Sequence, residues 1–195
     1  MTLEIRPAQP ADRASIRRVV EAAFADHGEQ VAAMVDALDA ARRTRLSLVA
    51  EYDGAVVGQA QLSQSWVDAR ERLVEVLVLS PLGVLPELQN QGIGSKLVAA
   101  ALAAARELGA PAVFLEGDPD YYSRLGFEPG AAHGFTPPSA RIPAPAFQVV
   151  VLDAEALLPG ALVYCDAFWE LDCVGLRDPR LSRVEEALGI EQLFD

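Results

Sequence analysis

Little in this 195-residue chain invites redox or metal chemistry. It has only two cysteines, Cys165 and Cys173, and their spacing fits neither a zinc site nor a CxxC pair. Buried free thiols are the expectation. Its two histidines, His27 and His133, stand far apart, and no HExxH or other ligand cluster occurs, so no metal is expected. A nucleophilic serine elbow is missing too, which disfavours a covalent route. Long apolar runs are absent. The longest, Leu97 to Ala105, is closed by Arg106, well short of the roughly 20 residues that cross a bilayer. The opening MTLEIRPAQPADR has no apolar core and no cleavage pattern, so a cytoplasmic location without a membrane partner is expected. Basic charge is scarce as well: 16 Lys and Arg face 28 Asp and Glu, for a net charge of −12. Such a field repels a phosphate backbone and argues against nucleic acid as a partner. It either favours cationic small molecules or serves only solubility.

What is present is an ordinary globular composition, with 51% hydrophobic and 23% charged residues and a length suited to one domain with a real core. No repeat or low-complexity linker is visible. Thr2 to Arg6 alternates and reads as a strand ended by Pro7. Asp12 is placed to cap a helix whose apolar face is Ile16, Val19, Val20, Ala23 and Phe24. A second helix is expected from Gln30 to about Arg42. Leu46 to Tyr52 and Val56 to Ser65 form a hairpin around Asp53-Gly54, a strong turn signal. Arg72 to Val84 reads as a central strand interrupted at Ser80-Pro81-Leu82-Gly83, where proline and glycine predict a bulge or splay. A helix follows from Gly92 to Leu108 with Gly109 behind it as a C′ residue. Ala112 to Glu116 is a short buried strand, Pro119 to Leu125 a short helix, and strands are expected at Phe147 to Leu152 and Leu162 to Cys165. Ser182 to Glu185 fits a capping box, so a further short helix is predicted near the C-terminus. This order gives a mixed α/β sheet.

The stretch VLPELQNQGIGSKL, Val84 to Leu97, sets two glycines where a strand passes into a helix. A dinucleotide fingerprint needs a third glycine where Leu97 stands, and a P-loop needs the Ser95-Lys96 order reversed. On the glycines alone, a tight turn and a phosphate cradle fit equally. The free N–H groups of a helix's first turn, with the positive end of its dipole, suit a pyrophosphate, and glycine allows close approach.

In its wider context, VLPELQNQGIGSKLV resembles the acyl-CoA-binding motif Q/R-x-x-G-x-G/A of the GNAT superfamily of N-acetyltransferases, matched at Gln89, Gly92 and Gly94. A second motif, Tyr122-Ser123-Arg124-Leu125-Gly126-Phe127, is similar to the family's Y-x-x-x-G-F. The string Gly117-Asp118-Pro119-Asp120-Tyr121-Tyr122 resembles one largely uncharacterised bacterial subgroup. The resemblance covers residues 1 to about 165. It implies the GNAT acyl-CoA N-acyltransferase fold, a twisted, mostly antiparallel sheet with strands 4 and 5 splayed and helices flanking it. Residues 166–195 are then a C-terminal extension with a short helix.

The resemblance further implies acetyl-CoA as cosubstrate and an acceptor amine, small-molecule or peptide, that attacks it directly in a ternary complex. Leu82, Gly83 and Val84 would pair with the pantetheine arm, and a backbone N–H there would polarise the thioester carbonyl. Gln89 and the amides of Asn90, Gln91, Gly92, Ile93, Gly94 and Ser95 would hold the pyrophosphate. The Ser95 hydroxyl either adds a contact or faces solvent. Tyr122 occupies the family's general-acid position, and Tyr121 beside it either packs or lines the acceptor pocket. A phenol, of pKa about 10, is protonated at pH 7 and donates to a thiolate through a positioned hydrogen bond. No motif fixes the general base. Glu75 and Glu116 are the candidates, both expected near the splay, and each is equally readable as a solvent-facing strand residue. His27 lies in a loop that borders the acceptor site in this family, where an exposed loop histidine is the plainer alternative. Many members carry an asparagine after the fifth strand, whereas here Asp118 either takes part of that role or caps the next helix. A non-catalytic acyl-CoA-binding module is the alternative function. Transfer of a longer acyl group is a third. The acidic composition points weakly to a polyamine, an aminoglycoside or a lysine side chain as acceptor. The terminal LSRVEEALGIEQLF, Leu181 to Phe194, either packs on its own domain or supplies a homodimer interface.

Overall fold

The computed structural model describes residues 3–175. The helix expected within Leu181–Phe194 lies outside that range. Strand β1 (Leu3–Pro7) leads through a 3-10 turn to helices α1 (Arg13–Phe24) and α2 (Gly28–Ala40). The hairpin of β2 (Thr44–Tyr52) and β3 (Ala55–Ala69) turns at Asp53 and Gly54, whose φ values of 47° and 81° are those a two-residue hairpin turn requires. Strand β4 (Leu73–Val84) feeds α3 (Ile93–Glu107), which returns to β5 (Ala112–Glu116). Then come the short α4 (Pro119–Tyr122), the two-residue strands β6 (Glu128–Pro129) and β7 (Phe135–Thr136), β8 (Phe147–Val151), β9 (Gly160–Tyr164) and α5 (Asp166–Glu170). The sequence pattern did not show β6, β7 or α5, because each is too short to carry a period. It also ended β3 four residues early.

The strands form one open, mostly antiparallel sheet in the order β1-β2-β3-β4-β5-β8-β6, with β9 continuing along the β2 edge of β3 and pairing with β7. Parallel pairing occurs between β4 and β5, joined by the α3 crossover such pairs need, and between β7 and β9. Two apolar clusters cover the two faces. Under α1 and α2 lie Val19, Val20, Leu38, Val76, Val78 and Phe114. On the opposite face α3 lays Ile93, Leu97, Val98 and Ala101 against Leu77, Leu79 and Leu115. Each fully buried aliphatic side chain there is worth about 1.5–3 kcal/mol over an exposed one.

The expected bulge in β4 is present. Leu62 pairs with Leu79 and Ala60 with Leu82, so Gln61 alone faces Ser80 and Pro81. Beside it the sheet opens. Strands β4 and β5 pair only at Leu77 with Val113 and Val78 with Phe114. Beyond that point β4 continues with β3 alone and β5 with β8 alone.

Asp12 stands at the N-cap position of α1, but its side chain makes no capping hydrogen bond to that helix. It sits in the preceding 3-10 turn, where its carboxylate accepts from Arg6 (2.6 and 3.0 Å) and from the backbone N–H of Gln9 (2.7 Å), while Arg6 also reaches Glu51 at 2.7 Å. Hydrogen bonds from Arg6 and then Gln9 hold the Asp12 carboxyl down to about 2. A folded-state pKa below the unfolded one stabilises above about pH 4, and that contribution is lost as pH falls toward 2. Asp12→Asn is therefore expected to lower the urea midpoint at pH 7 and flatten its fall between pH 4 and pH 2. An unchanged acid limb would show that Arg6 and Asp12 do not tie β1 to α1 energetically.

Candidate active site

The loop from Gln89 to Gly92 begins where β4 ends. The Gln89 side-chain amide donates to the Val84 carbonyl at 3.0 Å, closing the loop on its own strand. Asn90 (φ 61°) and Gly92 (φ 79°) are both left-handed, and the second sets the entry of α3. Lys96 N–H reaches back to the Gly92 carbonyl at 3.1 Å, and the amides before it in the first turn have no intrahelical partner. Asn90, Gln91 and Gly92 are exposed, and a Cβ on Gly92 would meet no protein atom within 4 Å. The cradle is thus open to solvent and backed by a helix dipole, which suits an anionic group. Ile93 contributes only its backbone, because its side chain is buried under α3. Ser95 Oγ lies 3.3 Å from the Tyr121 hydroxyl, and that hydroxyl also sits where a Cβ on Gly94 would be (2.8 Å). Tyr121 therefore packs across the start of α3.

Asp118 caps α4, its side chain accepting from the Asp120 N–H at 2.8 Å, which decides the role left open for it. Tyr122 ends this helix with its ring edge-on to Phe127 (5.6 Å between centroids) and pressed on Gly117, where a Cβ would fall 2.2 Å from the ring. Glycine at 117 is what lets the tyrosine lie there. The buried Gln148 holds the same turn through the Gly117 carbonyl at 3.1 Å.

A cavity of about 70 Å³ opens at the splay and is lined from β4 by Leu79, Ser80, Pro81 and Leu82, and from the far side by Glu116 and Tyr122. Gly83 adds no side chain; it lets α1 approach, since a Cβ there would lie 3.2 Å from that of Ala23. Glu116 and Tyr122 both line this cavity. Glu75 does not. It stands near the start of β4, four residues and roughly 13 Å of strand before Leu79. There it is exposed and engaged by Arg45 (2.9 Å) and Gln64 (2.7 Å), so the expectation that it borders the splay is corrected. Strand polarity explains the difference, because β4 opens only at its C-terminal end. His133 pairs with Glu128 at 2.6 Å away from the cavity.

Sequence reading missed Tyr164. This buried phenol donates to Glu116 Oε1 at 2.7 Å, while Glu116 Oε2 accepts from the Gly175 N–H at 3.1 Å. Desolvation, and then the charge of Glu116, push the Tyr164 phenol well above its usual range. Cys165 and Cys173 are free and buried, and burial raises both thiols, Cys173 to about 11. No nucleophilic thiolate is available from either at neutral pH. Among the described residues no His, Cys, Asp or Glu group is placed to hold a metal, and no helix is long and apolar enough to cross a membrane. A larger groove of about 440 Å³ lies at the other end of the α1–α2 pair, beside Arg13 and Asp36, and shares no wall with the splay. Chemistry rather than size places the candidate site at the smaller cavity.

Comparison with known proteins agrees with this geometry. Residues 14–127 match the model of the acetyltransferase (GNAT) family. The chain is 33% identical over 135 residues to an Escherichia coli K12 protein described as uncharacterized N-acetyltransferase YjhQ, covering 68% of this chain and 74% of that one. Among solved structures, a GNAT family acetyltransferase from Brucella melitensis in complex with acetyl-CoA superposes with a TM-score of 0.71 at 36% identity, over 86% of this chain and 98% of the other. The E. coli N-acetyltransferase YhbS in complex with CoA superposes with a TM-score of 0.77 at 31% identity, over 85% and 91% of the two chains.

Proposed function

Since the chain belongs to the GNAT acetyltransferase family, we propose that it transfers the acetyl group of acetyl-CoA to a primary amine by direct attack within a ternary complex. The observation that carries this reading is the meeting, on one cavity, of the unpaired end of β4 with Tyr122 and Glu116. The residues present suit the donor. The open space at Gly92 and the first-turn amides of Ile93, Gly94 and Ser95 would take its pyrophosphate. The edge of Leu82 to Val84 would pair with its pantetheine amides, as an added strand does. Bound there, acetyl-CoA supplies an activated thioester.

The chain's own groups handle two protons. Glu116, at the cavity wall, receives the proton that the amine sheds as its nitrogen bonds to carbon. Tyr122 gives its hydroxyl proton to the sulfur as the carbon–sulfur bond breaks. The apolar side chains of Leu79, Pro81 and Leu82 keep the cavity poor in water, which strengthens both transfers. The thioester carbonyl is polarised by backbone N–H groups left unpaired along the splayed strand.

Acetyl-CoA binds only the native chain in this reading, so at 100 times its dissociation constant it stabilises by about 2.7 kcal/mol. That corresponds to a rise in Tm of about 5–10 °C for a chain of this size. Differential scanning fluorimetry with a millimolar titration measures it, and an unmoved Tm would overturn the assignment. Binding without thiol release toward any amine would favour a non-catalytic acyl-CoA-binding module instead.

A further inference from the structure

We propose that Gln148 is a positioning residue for acetyl transfer: through the Gly117 carbonyl it fixes the Tyr122 ring, and with it the hydroxyl. The inference rests on the reading of Tyr122 as the acid that protonates the departing sulfur. It goes beyond that reading to what holds the acid in place.

The ladder between β5 and β8 leaves one bond unmade at its end. Its register sets Leu115 against Gln148 and Glu116 against Phe147, so Gly117 comes opposite Ala146. A hydrogen-bonded pair in an antiparallel ladder exchanges two bonds. Only one is made here. Gly117 N–H donates to the Ala146 carbonyl at 2.9 Å, but the Ala146 N–H turns instead to the Pro143 carbonyl, also at 2.9 Å, at the 3-10 turn Ala144–Ala146. The buried Gly117 thus has a carbonyl without its ladder partner, and the Gln148 side-chain amide takes that place at 3.1 Å. Gln148 is 1% exposed on a strand whose other residues are phenylalanine and valine, where an amide is costly unless it is bonded.

The peptide held in this way is the one on which the Tyr122 ring lies. A Cβ at Gly117 would fall 2.2 Å from Cε2 and 2.7 Å from Cδ2 of that ring. Phe127 and Tyr121 meet the ring edge-on, at 5.6 and 4.8 Å between centroids. Helix α4 is a single turn ending at Tyr122, so it does little by itself to fix its last side chain. A shift of the Gly117 peptide therefore carries into the ring, and a misplacement of about 1 Å in a reacting group costs up to about 100-fold in rate. Gln148 is not among the described residues that line the cavity, so its effect passes through Gly117 and Tyr122.

Thiol release by the full chain, saturated with acetyl-CoA, is to be measured for wild type, Gln148→Met, Tyr122→Phe and the double variant. Phenethylamine, spermidine, kanamycin and lysine ethyl ester are the acceptors. Acetyl-CoA hydrolysis, with water in the amine's place, supplies the rate where none of the four is turned over. Methionine keeps the length of glutamine and lacks its N–H. Gln148→Met is expected to lower kcat about 10-fold, with KM and the acetyl-CoA thermal shift unchanged. In the Tyr122→Phe background the same substitution should change kcat by less than about 2-fold, because no hydroxyl is left to misplace. An equal loss in both backgrounds is what weakened packing produces, and it overturns the inference while leaving the acid reading standing. So does an unchanged kcat in Gln148→Met beside a loss in Tyr122→Phe. A Tyr122→Phe chain as active as wild type removes the acid reading and this inference together. Should Gln148→Met not fold, Gln148→Asn, whose amide stops one carbon short, is measured in the same way. Failure of both to fold makes Gln148 a residue of stability alone and overturns the inference.

Discussion

Gly92→Val is expected to weaken acetyl-CoA binding by about 100-fold or more while leaving the chain folded. Position 92 combines two features that rarely occur together. Its φ of 79° is left-handed, where a β-branched residue is strained, yet a Cβ there would touch no protein atom within 4 Å. The strain alone costs about 1–2 kcal/mol, which lowers stability modestly. The valine methyls, however, occupy the space in front of the first-turn amides, where the pyrophosphate is proposed to sit. Displacing two charge-assisted hydrogen bonds, at about 1.5–3 kcal/mol each, accounts for at least about 100-fold in affinity. Isothermal titration with CoA measures the loss, and circular dichroism with the Tm of the ligand-free variant separates it from unfolding. Retained affinity would place the pyrophosphate elsewhere. Gly94 makes a useful contrast, because its φ is not left-handed and the one close neighbour of a methyl there is the far end of the Tyr121 side chain at 2.8 Å. Gly94→Ala should be the milder change.

Tyr122→Phe is expected to lower kcat by about 100-fold, the lower end of what a positioned general acid supplies, with little change in acetyl-CoA affinity. The substitution removes one oxygen and keeps the ring, so the edge contact with Phe127 and the seat on Gly117 persist. The Tm of the ligand-free variant separates stability from chemistry. Because the departing sulfur gains a proton only in the transition state, the loss appears in kcat and kcat/KM together, not in KM. Steady-state kinetics of thiol release with an amine the wild-type chain turns over, beside the thermal shift with acetyl-CoA, gives both quantities. An equally active variant would remove Tyr122 from the proton path and turn attention to other donors at the cavity.

Some of this site is local and some is not. The Gln89–Ser95 loop, the bulge at Ser80-Pro81, the limits of β5 and the cap at Asp118 each depend on residues within a few positions of one another. Turn chemistry, capping and the cost of proline in a ladder act over that range, so a sequence displays them. The family resemblance carried by Tyr122, Gly126 and Phe127 singled out this tyrosine, and the structure sets it on the cavity at the splay. It did not distinguish Glu75 from Glu116. Both are carboxylates on central strands, and only the parallel pairing of β4 with β5, confined to Leu77–Val113 and Val78–Phe114, decides which end opens. Asp12 holds the expected N-cap position, but its carboxylate turns to Arg6, a partner on another element that local sequence does not reveal.

Tyr164, Phe168 and Cys173 lay furthest from view. They reach Glu116 and the cavity because β9 pairs with the far end of β3 and the chain after it folds back over α2. The amino-acid sequence determined the family and the geometry of the Gln89–Ser95 loop, since both are encoded in short runs with narrow backbone requirements. Tertiary structure alone decided which glutamate borders the splay and what surrounds it, because burial and long-range strand pairing, not local propensity, bring those side chains together.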